Sequence, residues 1–329
     1  MTSTNSTRRA VPASFFGIPL GLLALGIAWQ AAASIWPLPE QIGAALVWVG
    51  SALWAYLFIL YIAKWIQQRA AAEAEFEHPV QCCFVGLAGV VGSLASIGLA
   101  PYSPVISFSL FVLGAAWTLV FAVYRTGRLW MGGRKAETNT PVLYLPTVAG
   151  SFVSASAATA QGYPDWGQLM FGAGLFGWLA VESVLLHRLY TAEPMPPPLR
   201  PTLGIQFAPP AVAAVAYLNV GGGHPDLFVH ALIGYALLQG LVLLRLWPWL
   251  RAVGPTPAWW GFSFGAAALP TAAIKLVAHG DGGAVSLMAP TLFVAANVVI
   301  VIIGIMTIRL LVRGQLLPPA AAPAPLVPT

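Results

Sequence analysis

Residues 284–312 have the sequence AVSLMAPTLFVAANVVIVIIGIMTIRLLV, in which Arg309 is the only charged residue. A membrane-spanning α-helix needs about 20 consecutive, predominantly apolar residues. This run exceeds that length and carries a single charge close to its end. We therefore predict a transmembrane helix here, and the same criterion can be applied outward along the chain.

Nine further runs of this kind precede residue 284, divided by polar, Pro or Gly clusters. The ten predicted spans cover residues 14–36, 41–66, 79–99, 103–124, 141–161, 166–189, 201–219, 226–250, 257–279 and 284–312. Composition agrees, because charged residues make up 8% of the chain, whereas a soluble domain carries about a quarter. The sequence predicts an all-α integral membrane protein.

Lys and Arg collect in the cytoplasmic loops of membrane proteins. With ten spans, fourteen of the fifteen basic residues fall on the side of the two chain ends, and Lys275 is the exception. The fourteen are Arg8, Arg9, Lys64, Arg69, Arg125, Arg128, Arg134, Lys135, Arg188, Arg200, Arg245, Arg251, Arg309 and Arg313. The pattern predicts cytoplasmic termini and five antiparallel helical hairpins.

The predicted layout has three parts. They are a cytoplasmic segment 1–13, a transmembrane domain 14–313 and a disordered tail 314–329 rich in Pro and Ala. A signal peptide is the alternative for the N-terminus, because Arg8 and Arg9, the apolar stretch after them and 31–33 (AAA) imitate its three regions.

The odd-numbered spans carry proline and glycine internally, whereas Pro248 and Pro290 in the even-numbered spans lie near span ends. The odd spans carry Gly17, Pro19, Gly21, Gly86, Gly89, Gly92, Pro146, Gly150, Gly204, Pro209, Pro210, Gly265 and Pro270. A proline at membrane depth frees a carbonyl group, which protein or a watery cavity can satisfy. The distribution favours an inner ring of five kinked odd-numbered helices around a pore, with five even-numbered helices outside. Close helix packing through small residues is the alternative.

Other classes of protein find little support. A membrane-embedded enzyme would need paired carboxylates, an HExxH helix or a His/Cys cluster, and the sequence has none of these. Cys82 and Cys83 are adjacent, which is too close for an ordinary disulfide. Basic residues occur without a basic helix face, so no nucleic acid is expected. The acidic run Glu73, Glu75 and Glu77 is predicted to be solvated, and no cofactor or metal is expected.

Several segments, in order along nearly the whole chain, resemble one family. They are FFGIPLG at 15–21, YLP at 144–146, SFVSAS at 151–156, FGAG at 171–174, ESVLLHRL at 182–189 and FSFG at 262–265. The chain resembles the bacterial tellurite-resistance proteins, a family that includes the slow-type anion channels of plant guard cells and fungal malic acid transporters. The third span departs from it, with glycines where a proline is expected.

The resemblance implies ten helices, a five-helix pore in each protomer, a homotrimer and a phenylalanine plug at Phe264 with Gly17 opposite the ring. The residues predicted to line or kink the pore are Gly17, Pro19, Gly21, Pro146, Phe152, Ser154, Gly204, Pro209, Gly265 and Pro270. An apolar ring in a narrow uncharged tube blocks passage and discourages wetting, and a rotamer change opens it. Ordinary packing of Phe264 is the alternative.

Lys275 follows Phe264 by eleven residues, close to three helical turns, so both would share a face. There its charge would attract anions, unless the side chain snorkels to the headgroups. Glu182 is the one acidic residue well inside a span, and it is either a proton site or the partner of an Arg. Hydroxyls on the fifth span, among them Ser156 and Thr159, and the amide of Asn219 either solvate an ion or bond to their own helix carbonyls.

We therefore predict a gated channel for small monovalent anions such as chloride and nitrate in a bacterial inner membrane. A proton-coupled carrier of malate, other C4-dicarboxylates or tellurite is the alternative. Five hairpins of one orientation form no inverted repeat, which favours the channel.

Overall fold

The computed structural model describes residues 11–317, which are helical with no strand among them. Ten spans in this part of the chain are long and apolar enough to cross a membrane. This confirms the predicted all-α membrane fold of ten helices. The predicted segment 1–13, up to residue 10, and the predicted tail, from residue 318, lie outside the described residues.

We number the ten spans in chain order and count each with the 3-10 or π turns that open it. They are α1 (Ala13–Ala33), α2 (Glu40–Gln67), α3 (Cys82–Leu99), α4 (Pro104–Trp130), α5 (Pro141–Ala160), α6 (Pro164–Thr191), α7 (Pro197–Val220), α8 (Leu227–Arg245), α9 (Pro257–Ala278) and α10 (Ala284–Val312). Two short α-helices lie outside these spans, Arg69–Glu77 between α2 and α3 and Trp247–Arg251 after α8, and a 3-10 turn, Ala136–Thr138, lies between α4 and α5.

Burial alternates along the chain. In the most apolar 18 residues of each span, 67–89% of positions are buried in the odd-numbered helices and 22–33% in the even-numbered ones. On α4, for example, Val105, Leu113 and Val120 are 77, 66 and 69% exposed. Apolar side chains exposed on this scale are stable against lipid, so the even helices present the membrane surface.

Helix packing follows the same division. Each odd helix packs on the even helix that follows it, and the odd helices also pack on each other. In order, α1 contacts α3, α3 contacts α5, α5 contacts α7, α7 contacts α9 and α9 contacts α1. This closed cycle of contacts supports the predicted inner ring of odd-numbered helices.

Prolines mark irregular turns at the starts of three odd helices. Irregular turns occupy Pro141–Leu143 and Leu145–Ala149 in α5, Pro197–Ile205 in α7 and Pro257–Phe262 in α9. Pro209 then occupies the first turn of the regular helix Ala208–Val220, where its missing N–H costs no hydrogen bond. Pro270 is different, since it lies inside the regular helix Ser263–Ala278.

The third span has no such break. Cys82–Leu99 is α-helical from end to end, so the break predicted for every odd helix is not found in α3. Its glycines serve close packing on α4 instead. A Cβ on Gly89 would lie 2.8 Å from the carbonyl oxygen of Gly114, and a Cβ on Gly114 would lie 2.6 Å from the backbone nitrogen of Ser93. Such backbone approach is what small residues permit between membrane helices.

Candidate functional site

Two cavities lie among the odd helices. The first, which we call the terminal cavity, measures about 770 Å³ and is bordered by residues near both described chain ends, such as Ser14 and Gln315. The second, which we call the distal cavity, measures about 280 Å³. All five odd helices border each cavity, and no even helix borders the distal one. The two cavities therefore follow one another along the interior of the odd helices.

Phe264 lies where the two cavities meet. It borders both of them, as does Val212 on α7, and its side chain is only 6% exposed. Phe264 is the second residue of the regular helix Ser263–Ala278, which follows directly on the 3-10 turn Pro257–Phe262. An apolar ring that borders both cavities is compatible with the plug that the resemblance implied.

The other residues predicted for the pore divide into two groups. Gly17, Phe152 and Pro209 border the terminal cavity. A larger group is buried but borders neither cavity: Pro19, Gly21, Pro146, Ser154, Gly204, Gly265 and Pro270. Sequence reasoning identified the right helices but did not separate the residues that face the interior from those that face neighbouring helices.

Glycines of the second group make room for aromatic rings. A Cβ on Gly21 would lie 2.7 Å from Trp260 Cζ3, and one on Gly265 would lie 2.8 Å from Phe207 Cζ. At Gly17 a Cβ would meet Trp260 Cβ at 3.4 Å, an ordinary contact. The nearest group to Gly17 is thus Trp260, while Gly17 and Phe264 share the border of the terminal cavity.

Lys275 borders the distal cavity together with Phe264, as their spacing of eleven residues predicts. It is half-buried and forms no ion pair within residues 11–317. The polar side chains around this cavity are Ser156, Thr159, Asn219, Thr271 and Lys275. No carboxylate is among the residues that border it. The cavity is therefore mostly apolar, with a few polar side chains and one basic residue, which suits a weakly hydrated anion.

The sequence comparisons agree with this chemistry. A model of the voltage-dependent anion channel family matches residues 10–308. The chain belongs to this family. A tellurite resistance protein TehA homolog from Haemophilus influenzae is 37% identical over 307 residues, which cover 93% of this chain and 92% of that protein.

Plant members of the anion channel family are also similar to the chain. The guard cell S-type anion channel SLAC1 of Arabidopsis thaliana is 26% identical over 90% of this chain, and the S-type anion channel SLAH2 is 24% identical over 93%. The matches cover 55 and 60% of those two proteins. Membership supports anion transport by a multi-pass membrane protein.

The carboxylate of Glu182 is buried in the protein. The groups around it correct one expectation. Glu182 accepts hydrogen bonds from Trp178 Nε1 at 2.9 Å and Gln206 Nε2 at 3.1 Å. Tyr235 Oη donates at 2.6 Å, and Tyr144 and Gln239 complete the set of donors.

No Arg or Lys within residues 11–317 pairs with Glu182, so the ion pair that the sequence favoured is wrong. A buried carboxylate requires hydrogen-bond partners. Here uncharged donors from α5, α6, α7 and α8 provide them. The sequence signal for this network is weak, because the donors on other helices lie 24 to 57 residues from Glu182.

The acidic run 73–77 is only partly solvated. Glu73 and Glu77 form surface ion pairs with Arg69 and Arg128. Glu75, in contrast, pairs with Lys64 at 2.7 Å, and their side chains are 9 and 6% exposed. Glu75 also accepts the backbone N–H of Ala13 at 2.8 Å. The prediction of a solvated run is wrong for Glu75, which ties the start of α1 to the border of the terminal cavity.

Proposed function

We propose that the protein is a gated anion channel whose path runs from the terminal cavity past Phe264 to the distal cavity. The observation that carries this proposal is the position of Phe264 between two cavities that are bordered by the same five helices. Family membership supports anions as the transported class. In this proposal Phe264 is the gate, and a rotamer change of its ring joins the cavities.

The character of the path favours small monovalent anions, chloride and nitrate among them. Apolar side chains dominate the border of the terminal cavity, and the Lys64–Glu75 pair there is neutral overall. An anion that passes must shed much of its water, which costs a dianion far more than a monovalent ion. Lys275 in the distal cavity then provides the attraction.

We further propose that the protein lies in a bacterial inner membrane with cytoplasmic termini, as the positions of its Lys and Arg residues favour. The terminal cavity then opens toward the cytoplasm. Apolar outer faces on the even helices are compatible with lipid and with a homotrimer, which the resemblance to relatives suggests.

The test is anion current across a planar bilayer for the native protein and for Phe264→Ala, with nitrate, chloride and malate compared. Phe207→Ala is the matched control, because Phe207 is an equally buried ring that borders neither cavity. We expect a large rise in passive current for Phe264→Ala only. No current from either form, together with saturable proton-coupled uptake of a dicarboxylate or tellurite, would establish a carrier instead.

A further inference from the structure

The hydroxyl groups around the distal cavity are not equivalent. Thr159 Oγ1 donates to the carbonyl oxygen of Ala155 at 3.1 Å, and Thr271 Oγ1 donates to that of Ala267 at 2.7 Å. A hydroxyl has one proton to donate. Both threonine hydroxyls therefore donate their proton to a carbonyl of their own helix, and only their oxygen lone pairs are available to the cavity.

Three other polar side chains keep their donors free. Within residues 11–317, no hydrogen bond or ion pair engages the hydroxyl of Ser156, the amide of Asn219 or the ammonium of Lys275. They come from α5, α7 and α9, so three helices each contribute one donor to the same cavity. An anion site needs hydrogen-bond donors and no competing carboxylate, and the border of this cavity meets both conditions.

Charge limits which anion fits. Among residues 11–317, Lys275 is the only charged residue on the border of the distal cavity. A positive charge held away from bulk water is costly without a partner. One negative charge neutralises it, whereas a dianion leaves an excess negative charge in the same cavity.

We propose that the distal cavity binds one small monovalent anion of the nitrate or halide type through Lys275, Asn219 and Ser156. The cavity of about 280 Å³ exceeds the volume of one such ion, so waters of about 30 Å³ each enter with it. This proposal rests on the proposed function in that the site lies on the proposed path.

The experiment measures binding without conduction. The thermal unfolding midpoint of the purified protein is followed as nitrate replaces gluconate at constant ionic strength. An anion that binds only the folded protein raises the midpoint as its concentration grows. We expect this rise in the native protein and a loss of about tenfold in apparent nitrate affinity in Lys275→Gln, because a charged hydrogen-bond donor is removed.

The matched pair is Ser156→Ala and Thr159→Val, which remove neighbouring hydroxyls of the same helix. Ser156→Ala is expected to weaken nitrate binding several-fold, and Thr159→Val to leave it within about twofold, because only Ser156 has a free proton. General salt effects act on all variants alike and cancel in the comparison. A native protein without a nitrate response, an unchanged response in Lys275→Gln, or equal losses in the two hydroxyl variants would each overturn the site.

Failure of this site and failure of the proposed function are distinguishable. Nitrate binding that depends on Lys275, without current from Phe264→Ala, would keep the site and reject the channel. Current from Phe264→Ala without nitrate binding would keep the channel and reject the site.

Discussion

Phe264 on α9 and Val212 on α7 border both the terminal and the distal cavity, one from each of two adjacent inner helices. The two residues therefore mark the junction of the two cavities, where we propose the gate. Because the ring of Phe264 is much larger than the side chain of Val212, we assign the blocking volume to Phe264 and a supporting wall to Val212.

Moving the ring to the other wall should restore the block. We expect Val212→Phe in the Phe264→Ala background to lower anion current toward the native level, because an aromatic ring again occupies the junction of the cavities. Bilayer recording of the single and double variants checks this. As a control, Val215→Phe places a ring on the same helix but deeper in the distal cavity. Equal restoration by Val215→Phe would contradict a block at one level.

The glycines of α1 should differ in their tolerance of alanine. Gly21→Ala places a Cβ 2.7 Å from Trp260 Cζ3, whereas Gly17→Ala places one at 3.4 Å from Trp260 Cβ. We expect Gly21→Ala to lower the free energy of unfolding by about 1–3 kcal/mol through overpacking. Gly17→Ala should change it by less than about 0.5 kcal/mol. Equilibrium unfolding in detergent measures both, and equal effects would refute the packing role of Gly21.

Glu182→Gln should destabilise the helix assembly, although it preserves size. The carboxylate only accepts hydrogen bonds, while an amide turns a donor toward Tyr and Gln donors. We expect a loss of about 2–3 kcal/mol in the free energy of unfolding, since buried polar groups lose their partners. Glu193→Gln is the matched control, because Glu193 is exposed. A loss no greater than that of the control would show that the network is dispensable.

Acid should weaken the start of α8. Asp226 accepts a hydrogen bond from the hydroxyl of Tyr217 and another from the backbone N–H of Val229 at 3.0 Å. These bonds, the first above all, hold the pKa of the Asp226 carboxyl below its usual value. A carboxyl with a depressed pKa stabilises the folded protein above its unfolded pKa of about 3.9, and this contribution disappears as the pH falls through the folded pKa.

Hydrogen exchange of the Val229 amide measures this effect. We expect its protection to fall as the pH drops below about 4, after correction for the intrinsic exchange rate. In Asp226→Asn the fall should be absent, because the amide does not titrate. An equal fall in Val229 protection in Asp226→Asn would show that a group other than Asp226 causes the pH dependence.

The membrane fold was predictable because its causes are local. Each span shows itself as an apolar run, as residues 284–312 illustrate, and burial alternates between odd and even helices as the positions of Gly and Pro indicated. For α3 two features of the sequence pointed in opposite directions, since the general pattern predicted a kinked inner helix whereas the missing proline argued against a kink. Its glycines indicated a break, but the same residues also permit close contact between two straight helices, and a sequence does not distinguish these uses.

The relative placement of two residues was predictable where both lie on one helix. Phe264 and Lys275 are related by helical periodicity, and both border the distal cavity as expected. Glu182 shows the limit, because its partners Gln206 and Tyr235 belong to other helices. Which of several donors reaches a carboxylate depends on helix rotation and spacing between spans.

By itself the sequence determined the number of spans and the family resemblance, since hydrophobic length acts residue by residue. It also predicts the membrane side on which the basic residues lie. Only the tertiary structure decided that Glu75 is buried against Lys64, that Gly21 faces Trp260, and that Ser156 keeps a free proton where Thr159 does not. Each of these features depends on how close two groups lie in space. For residues far apart in sequence, that distance is set only when the helices pack against each other.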